Sequence, residues 1–177
     1  DSWKRGGGAI WSGLAIDPET DTLYVSTGNP QPDFLGTVRK GKNLYTDSMV
    51  ALDISGSEPK MKWYRQFIPN DTHDWDPAMP PVLFTGTVDG KQMKLAAAGD
   101  KAGNFWILNA ENGDLVHHTV VNFQFNQNTP PKIGGTNYAC PNTNGGVEYN
   151  GGAYDPATNT FFVPSSNQCG KWTAYKQ

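Results

Sequence analysis

Apolar and β-branched residues come in short runs along this chain, broken by Gly-, Asp- and Asn-rich turns, and no segment keeps the spacing of a helical face with caps. The runs Leu23-Tyr24-Val25, Ser48–Ile54, Lys60–Phe67, Pro81–Thr85, Met93–Ala98, Asn104–Asn109, Leu115–Val121 and Phe161-Phe162-Val163 predict strands. The turns DG, DKAG and ENGD divide the later ones. Three stretches read as irregular: Pro30–Asn43, rich in Pro, Gly and Lys; Asn70–Pro81, NDTHDWDPAMPP; and the polar, Asn- and Gly-rich residues 122–150. The class predicted is all-β.

One phrase occurs twice. GLAIDPETDTLYVSTGN at residues 13–29 returns as GGAYDPATNTFFVPSSN at residues 151–167. Each copy reads as a hairpin with a Pro-fixed turn, Asp17-Pro18 in one and Asp155-Pro156 in the other. The offset is about three units of the roughly 40 to 50 residues that make one four-stranded propeller blade. A weaker repeat, ALDISGSEPKMKW (51–63) against ILNAENGDLVH (107–117), looks like the outer hairpin of successive blades. About four blades would fit in 177 residues, whereas propellers close with about 4 to 8. The chain begins at Asp1 without an initiator Met or leader and ends after an apparent strand start at Trp172–Tyr175. Residues 1–177 are therefore expected to be a single partial propeller domain, three to four blades from inside a longer protein.

Charge excludes little except nucleic acid. Fourteen Lys and Arg against seventeen Asp and Glu leave a net charge of −3, and the run Arg39-Lys40-Gly41-Lys42 reads as a solvated loop. No stretch of about 18 apolar residues exists to span a membrane. Cys140 and Cys169 stand 29 residues apart, which fits neither a Cys-x-x-Cys redox pair nor a zinc pattern. A disulfide in an oxidising compartment and two buried free thiols both remain open. His73, His117 and His118 lack the spacing of a metal site.

The motifs GGGAIW, GLAIDP, STGNP, NLYTDSMVALD, GDKAGNFWILNAENGDL and CPNTNGGVEYNGGAYDP together resemble the pyrroloquinoline quinone (PQQ) dependent alcohol dehydrogenases, over essentially the whole chain. These are eight-bladed propellers of four-stranded antiparallel blades tied by tryptophan-docking repeats. Trp63 falls two positions late for that repeat, implying an insertion near Ser57–Pro59, and His117 holds the second docking position.

The resemblance implies a set of site residues. Asn29 would be a calcium ligand through its amide oxygen, a donor that suits a hard cation; as a residue alone it could equally close a turn. Asn167 lies near the family's cofactor-contacting asparagine. Trp11, eighteen residues before Asn29, would lie flat beneath PQQ, where the alternative is a tryptophan of blade packing. Ala9 replaces a threonine found in some members. Lys101 would reach the quinone oxygens and stabilise negative charge there, though in a DKAG turn a lysine is ordinarily exposed.

Asp76 would be the general base, since alcohol oxidation needs a carboxylate in a dry pocket to take the hydroxyl proton as hydride leaves the adjacent carbon. Asp71 and Asp74 are rival carboxylates, and all three could instead cap turns. Ala78, two residues after Asp76, goes with calcium rather than a lanthanide, while Pro77 replaces the usual aromatic.

The function expected from the resemblance is oxidation of a small alcohol or polyol by hydride transfer to PQQ, with calcium as Lewis acid. It also implies an electron acceptor such as a c-type cytochrome and a periplasmic location. A sugar dehydrogenase and a non-catalytic propeller scaffold are the alternatives. Trp11, Asn29, Asp76 and Lys101 occur jointly, and a scaffold would need none of them.

Overall fold

In the computed structural model, which describes Lys4 and residues 6–175, strands dominate and the ordered helix Gly36–Val38 is a single 3-10 turn. The strands are β1 (Ala15–Asp17), β2 (Thr22–Thr27), β3 (Ser48–Asp53), β4 (Lys60–Gln66), β5 (Val82–Val88), β6 (Lys91–Gly99), β7 (Asn104–Asn109), β8 (Leu115–Val120), β9 (Thr136–Ala139), β10 (Ala153–Asp155), β11 (Thr160–Phe162) and β12 (Gly170–Thr173). β1-β2-β3-β4 and β5-β6-β7-β8 form two antiparallel four-stranded meanders, while β10 pairs with β11 and β12 with β9. The strand β9 lies inside the polar stretch 122–150. Its four residues carry no alternation of their own, and it is held by pairing Ala139 with Gly170, far along the chain.

The repeated phrase folds the same way twice. Ala15 pairs with Tyr24 and Ala153 with Phe162, the same register 138 residues on. In both turns the Asp carboxylate does the capping. Asp17 accepts from Glu19 N at 3.0 Å and Thr20 Oγ1 at 2.9 Å, and Asp155 from Ala157 N at 3.0 Å and Thr158 Oγ1 at 2.7 Å. The residue that closes each turn is left-handed, Asp21 at φ 46° and Asn159 at φ 53°, a conformation Asp and Asn tolerate better than most. Proline starts these turns, but the carboxylate and the left-handed residue fix them.

The second repeat is also structural. A bulge interrupts β3–β4 after Ala51↔Trp63 and β7–β8 after Ile107↔His117. Trp63 and His117 thus occupy the same place in their sheets, and the chain from Ala51 to Trp63 is two residues longer than that from Ile107 to His117, as the sequence implied. Asp89-Gly90, with φ of 49° and 76°, makes the two-residue β5–β6 turn, where both central positions need positive φ.

The sheets pack face to face in chain order. Tyr24, Met49, Ala51 and Trp63 of the first meet Ala96, Ala98, Leu108 and Ala110 of the second. The opposite face of the second sheet, through Ala97 and Phe105, meets Met79, Val147 and Phe161. β6 is buried on both faces at Leu95–Gly99, and its alanines let neighbouring sheets approach closely. Tyr24 Oη and Trp63 Nε1 both donate to Ala110 O, at 2.9 and 3.0 Å, stitching the first sheet to the second. The disulfide Cys140–Cys169 joins the end of β9 to the chain entering β12. Among the described residues no helix is long and apolar enough to cross a membrane.

Candidate active site

The connections at one end of these sheets meet around Asp76. Backbone bonds set them in place: Asn70 N donates to Lys42 O at 3.2 Å, Lys101 N to Asp76 O at 3.1 Å, and Gly146 N to Lys101 O at 2.8 Å. Four loops, following β2, β4, β6 and β9, are thereby locked together before any side chain is considered. A buried loop must satisfy its own backbone polar groups, and here the loops do so with one another.

The Asp76 carboxylate is fully buried. Its Oδ2 accepts from Trp11 Nε1 at 2.7 Å and its Oδ1 pairs with Lys101 Nζ at 2.7 Å. Gly28 lies directly against this arrangement. A methyl group there would sit 3.1 Å from Asp76 Oδ2 and from Trp11 Cδ1, so only glycine leaves them undisturbed. The indole of Trp11 is anchored through its N–H yet 47% exposed, and Lys101 Nζ lies 5.7 Å from its ring centre. An anchored aromatic ring with a cation over it suits a planar, electron-poor and anionic ligand.

Lys101 is buried despite its turn sequence. It bridges Asp76 and Asp74, whose Oδ2 lies 2.9 Å from Nζ. Burial works against its charge, but the Asp76 and Asp74 carboxylates outweigh that and hold its pKa above the ordinary lysine value. Asp74 is half-buried, and desolvation pushes its pKa up to about 6 even against Lys101. Asp71 serves the backbone instead. Its two oxygens accept from His73 N at 2.8 Å and Trp75 N at 2.6 Å, and burial raises its pKa to about 6. Of the three rival carboxylates, then, Asp71 caps the loop, Asp74 shares the lysine, and Asp76 carries the contact to Trp11.

Asn29 follows Gly28 and is half-buried. Its Nδ2 donates to Asp33 Oδ1 at 2.9 Å, which orients the carboxamide and leaves the oxygen as its acceptor end. Among the described residues no group of three His, Cys, Asp or Glu side chains could hold a metal ion. Asn167 stands apart from these contacts. It is exposed, and its Oδ1 accepts from Phe123 N at 2.9 Å and Asn122 Nδ2 at 3.3 Å, tying the chain after β8 to the chain after β11.

Two participants escape sequence reasoning. Glu148 is half-buried, its pKa raised by desolvation, and it feels the charges of Lys101, Asp76 and Asp74. It sits in CPNTNGGVEYN, a phrase whose resemblance pointed to the family but not to this carboxylate. Arg39, read as part of a solvated basic run, is buried to 1% exposure. Its partners are five residues in two separate loops, and nothing in a charge run reports them.

Comparison with known proteins identifies the family. Residues 1–125 match the family model for the β-propeller domain of PQQ glucose/ethanol/alcohol dehydrogenases. The chain is 38% identical over 116 residues to the quinoprotein alcohol dehydrogenase PedH of Pseudomonas putida, covering 66% of this chain and 19% of that protein. It is 29% identical over 187 residues to the lanthanide-dependent methanol dehydrogenase of Methylacidiphilum fumariolicum, covering 96% and 30%. A solved europium-containing methanol dehydrogenase superposes with a TM-score of 0.86 at 28% identity, covering 96% of this chain and 32% of that one. The chain thus spans about a third or less of the length of these relatives.

Proposed function

The chain belongs to the PQQ glucose/ethanol/alcohol dehydrogenase β-propeller family, and from that premise we propose that it forms part of a quinoprotein dehydrogenase oxidising a small alcohol or polyol, with Asp76 as general base. The observation that carries this reading is the buried Asp76 carboxylate held between Trp11 Nε1 and Lys101 Nζ. The two four-stranded sheets are successive blades of a larger ring, which we take to have eight, and Trp63 is the docking tryptophan of the first.

The residues present fit PQQ. Trp11 offers a fixed, exposed indole face, Lys101 a cation beside it, and Gly28 the clearance behind. The fit to a metal is partial: Asn29 offers one neutral oxygen, and further ligands come from outside the described residues. We assign calcium, because Ala78, where the lanthanide-using members carry a second aspartate, adds no anionic oxygen. When bound, PQQ supplies the hydride acceptor and calcium the Lewis acid.

The chain's own residues do the remaining work. Asp76 takes the proton of the substrate hydroxyl on its carboxylate. Trp11 and Lys101 hold that carboxylate in one orientation, which keeps the base in place before substrate arrives. Lys101 stabilises negative charge developing beside it, in a site dry enough for a fixed cation to count. Burying a carboxylate and an ammonium together is costly unless both are fully engaged, and a scaffold would gain nothing from it. We place the protein in the periplasm, with a one-electron acceptor such as a c-type cytochrome, as the family resemblance implies.

Asp76→Asn in the full-length protein tests the assignment. Lys101 keeps Asp74 as a partner, so the fold and PQQ binding should persist while turnover falls by a factor of about 100 or more. Turnover near wild type in saturating PQQ and calcium would overturn the base, and absence of PQQ binding by the parent would overturn the function.

A further inference from the structure

Arg39 lies under the site rather than in it. All five of its N–H donors are aimed at five acceptors: Nε at Pro32 O, 3.0 Å; Nη1 at Asn43 Oδ1, 2.9 Å, and Asn70 Oδ1, 3.2 Å; Nη2 at Asp33 O, 2.7 Å, and at Asp71 O. These acceptors divide between the loop that carries Asn29 and the loop that carries Asp76. On one side, Asp33 gives its backbone oxygen to Arg39 and its Oδ1 to Asn29 Nδ2. On the other, Asp71 gives its backbone oxygen to Arg39 while its carboxylate holds the amides of His73 and Trp75, the residue before Asp76. A guanidinium therefore connects the two functional side chains through two aspartates, Asn29–Asp33–Arg39–Asp71–Trp75–Asp76.

A second feature shows that these loops are built to touch. Gly36 of the first loop lies against Asn70 and Thr72 of the second so closely that a side chain there would collide with the Asn70 carboxamide. Asn70 in turn donates from its backbone to Lys42 O at 3.2 Å and from its side chain to Gly41 O at 2.8 Å. Neither loop contains a strand, so neither has a ladder to set its position, and the guanidinium supplies it. Only a planar fork reaches all five acceptors at once; a lysine ammonium has three donors and no such plane.

We infer that Arg39 is the positioning residue that sets the Asn29 carboxamide relative to the Asp76 carboxylate, and through it the affinity for the metal that Asn29 helps to hold. The inference rests on the calcium reading above. Orientation of a ligand by the groups behind it commonly changes metal affinity by about 10 to 100-fold.

The test compares full-length wild type, Arg39→Lys and Tyr24→Phe. The last removes the inter-sheet bond to Ala110 O and serves as a control for general loosening. Calcium binding is measured by calorimetry on metal-stripped protein, with thermal unfolding of each variant in parallel. Arg39→Lys should weaken calcium binding about tenfold or more, and Tyr24→Phe should leave it unchanged. Equal calcium affinity in Arg39→Lys and wild type would overturn the positioning role and leave the metal reading intact. Weakening of the same size in Tyr24→Phe would also overturn it, since stability alone would then explain the loss. A wild type that binds no calcium would overturn the metal reading and the positioning role together. Should Arg39→Lys fail to fold, Gly36→Ala separates the loops from a different atom and is held to the same calcium criterion.

Discussion

Trp11 Nε1 donates to Asp76 Oδ2 at 2.7 Å, joining two residues 65 positions apart. In the proposed roles Trp11 supports a cofactor and Asp76 acts on a substrate, and one indole would serve both, its face toward the cofactor and its N–H on the base. Its ring is half exposed and its N–H is committed to the carboxylate. The two roles should separate on substitution. Trp11→Phe keeps an aromatic face and loses the donor, so PQQ affinity should stay within a few fold while turnover falls. Trp11→Ala should lose both, with PQQ binding weakened by about 1 kcal/mol. Titrating PQQ against both variants and measuring turnover at saturation checks this, and equal losses in both quantities for Trp11→Phe would refute the division.

Gly113 and Trp63 make the corresponding prediction for the fold. Gly113 has φ of 74°, and a methyl group on it would lie 2.6 Å from Cε3 of the Trp63 indole. Trp63 cannot give way without losing its bond to Ala110 O. Gly113→Ala should therefore destabilise the full-length protein by about 1 to 3 kcal/mol, from overpacking and backbone strain together. Denaturant unfolding within 0.5 kcal/mol of wild type, taken as about the scatter of neutral surface changes, would show that the sheets are not clamped at this point.

The strands other than β9 were legible because each depends on its own run of residues. Val82–Val88 and Lys91–Gly99 announce themselves by β-branched and apolar content and by an Asp-Gly turn between them. Trp11, Asp76 and Lys101 were singled out by resemblance, but the contacts that join Asp76 to the other two were not expected. Arg39 was not, since the run RKGK predicts solvent exposure and its acceptors lie on Pro32, Asp33, Asn43, Asn70 and Asp71. Asp74 stood in the sequence only as a rival to Asp76, and Glu148 was not singled out at all, for the same reason. Their significance comes from Lys101, which approaches only when the loops after β4, β6 and β9 have met. Local pattern specifies elements, whereas this site is assembled from connections between them.

His73 makes stability depend on pH. The ring is buried, stacked on Trp75 at 4.1 Å between centres, and desolvation lowers its pKa to about 4 from an ordinary 6.5. The unfolded chain therefore binds the proton more tightly than the folded one. This contribution is fully present above pH 6.5 and is lost as pH falls from there toward 4. His73→Phe preserves an aromatic stack and removes the titration. The stability of wild type relative to this variant should fall between pH 7 and pH 4.5, by up to about 3 kcal/mol. The buried aspartates change stability in the same window but are common to both proteins, so the difference isolates His73. Parallel curves from chemical denaturation at the two pH values would exclude the effect.

The Cys140–Cys169 bond is placed where the sheet structure is thinnest. β9 and β12 have four residues each, and the disulfide, 29 positions apart in sequence, closes the chain that contains the hairpin β10–β11. Backbone bonds flank it on both sides: Cys140 N donates to Phe125 O at 2.9 Å and Asn142 N to Gln168 O at 2.8 Å. Those bonds survive replacement of the two sulfurs, so Cys140→Ser with Cys169→Ser should fold to the same structure. Releasing the cross-link restores freedom to the unfolded chain worth about 3 to 4 kcal/mol for a loop of this length. Because Gly146 N donates to Lys101 O at 2.8 Å, loosening of the same segment should also reach the site. Hydrogen exchange should then quicken at Cys140, Asn142 and Gly146 while the amides of β6 and β7 stay as protected as in wild type. An unchanged denaturation midpoint with unchanged exchange at those three amides would mean that pairing alone, without the disulfide, holds this part of the protein.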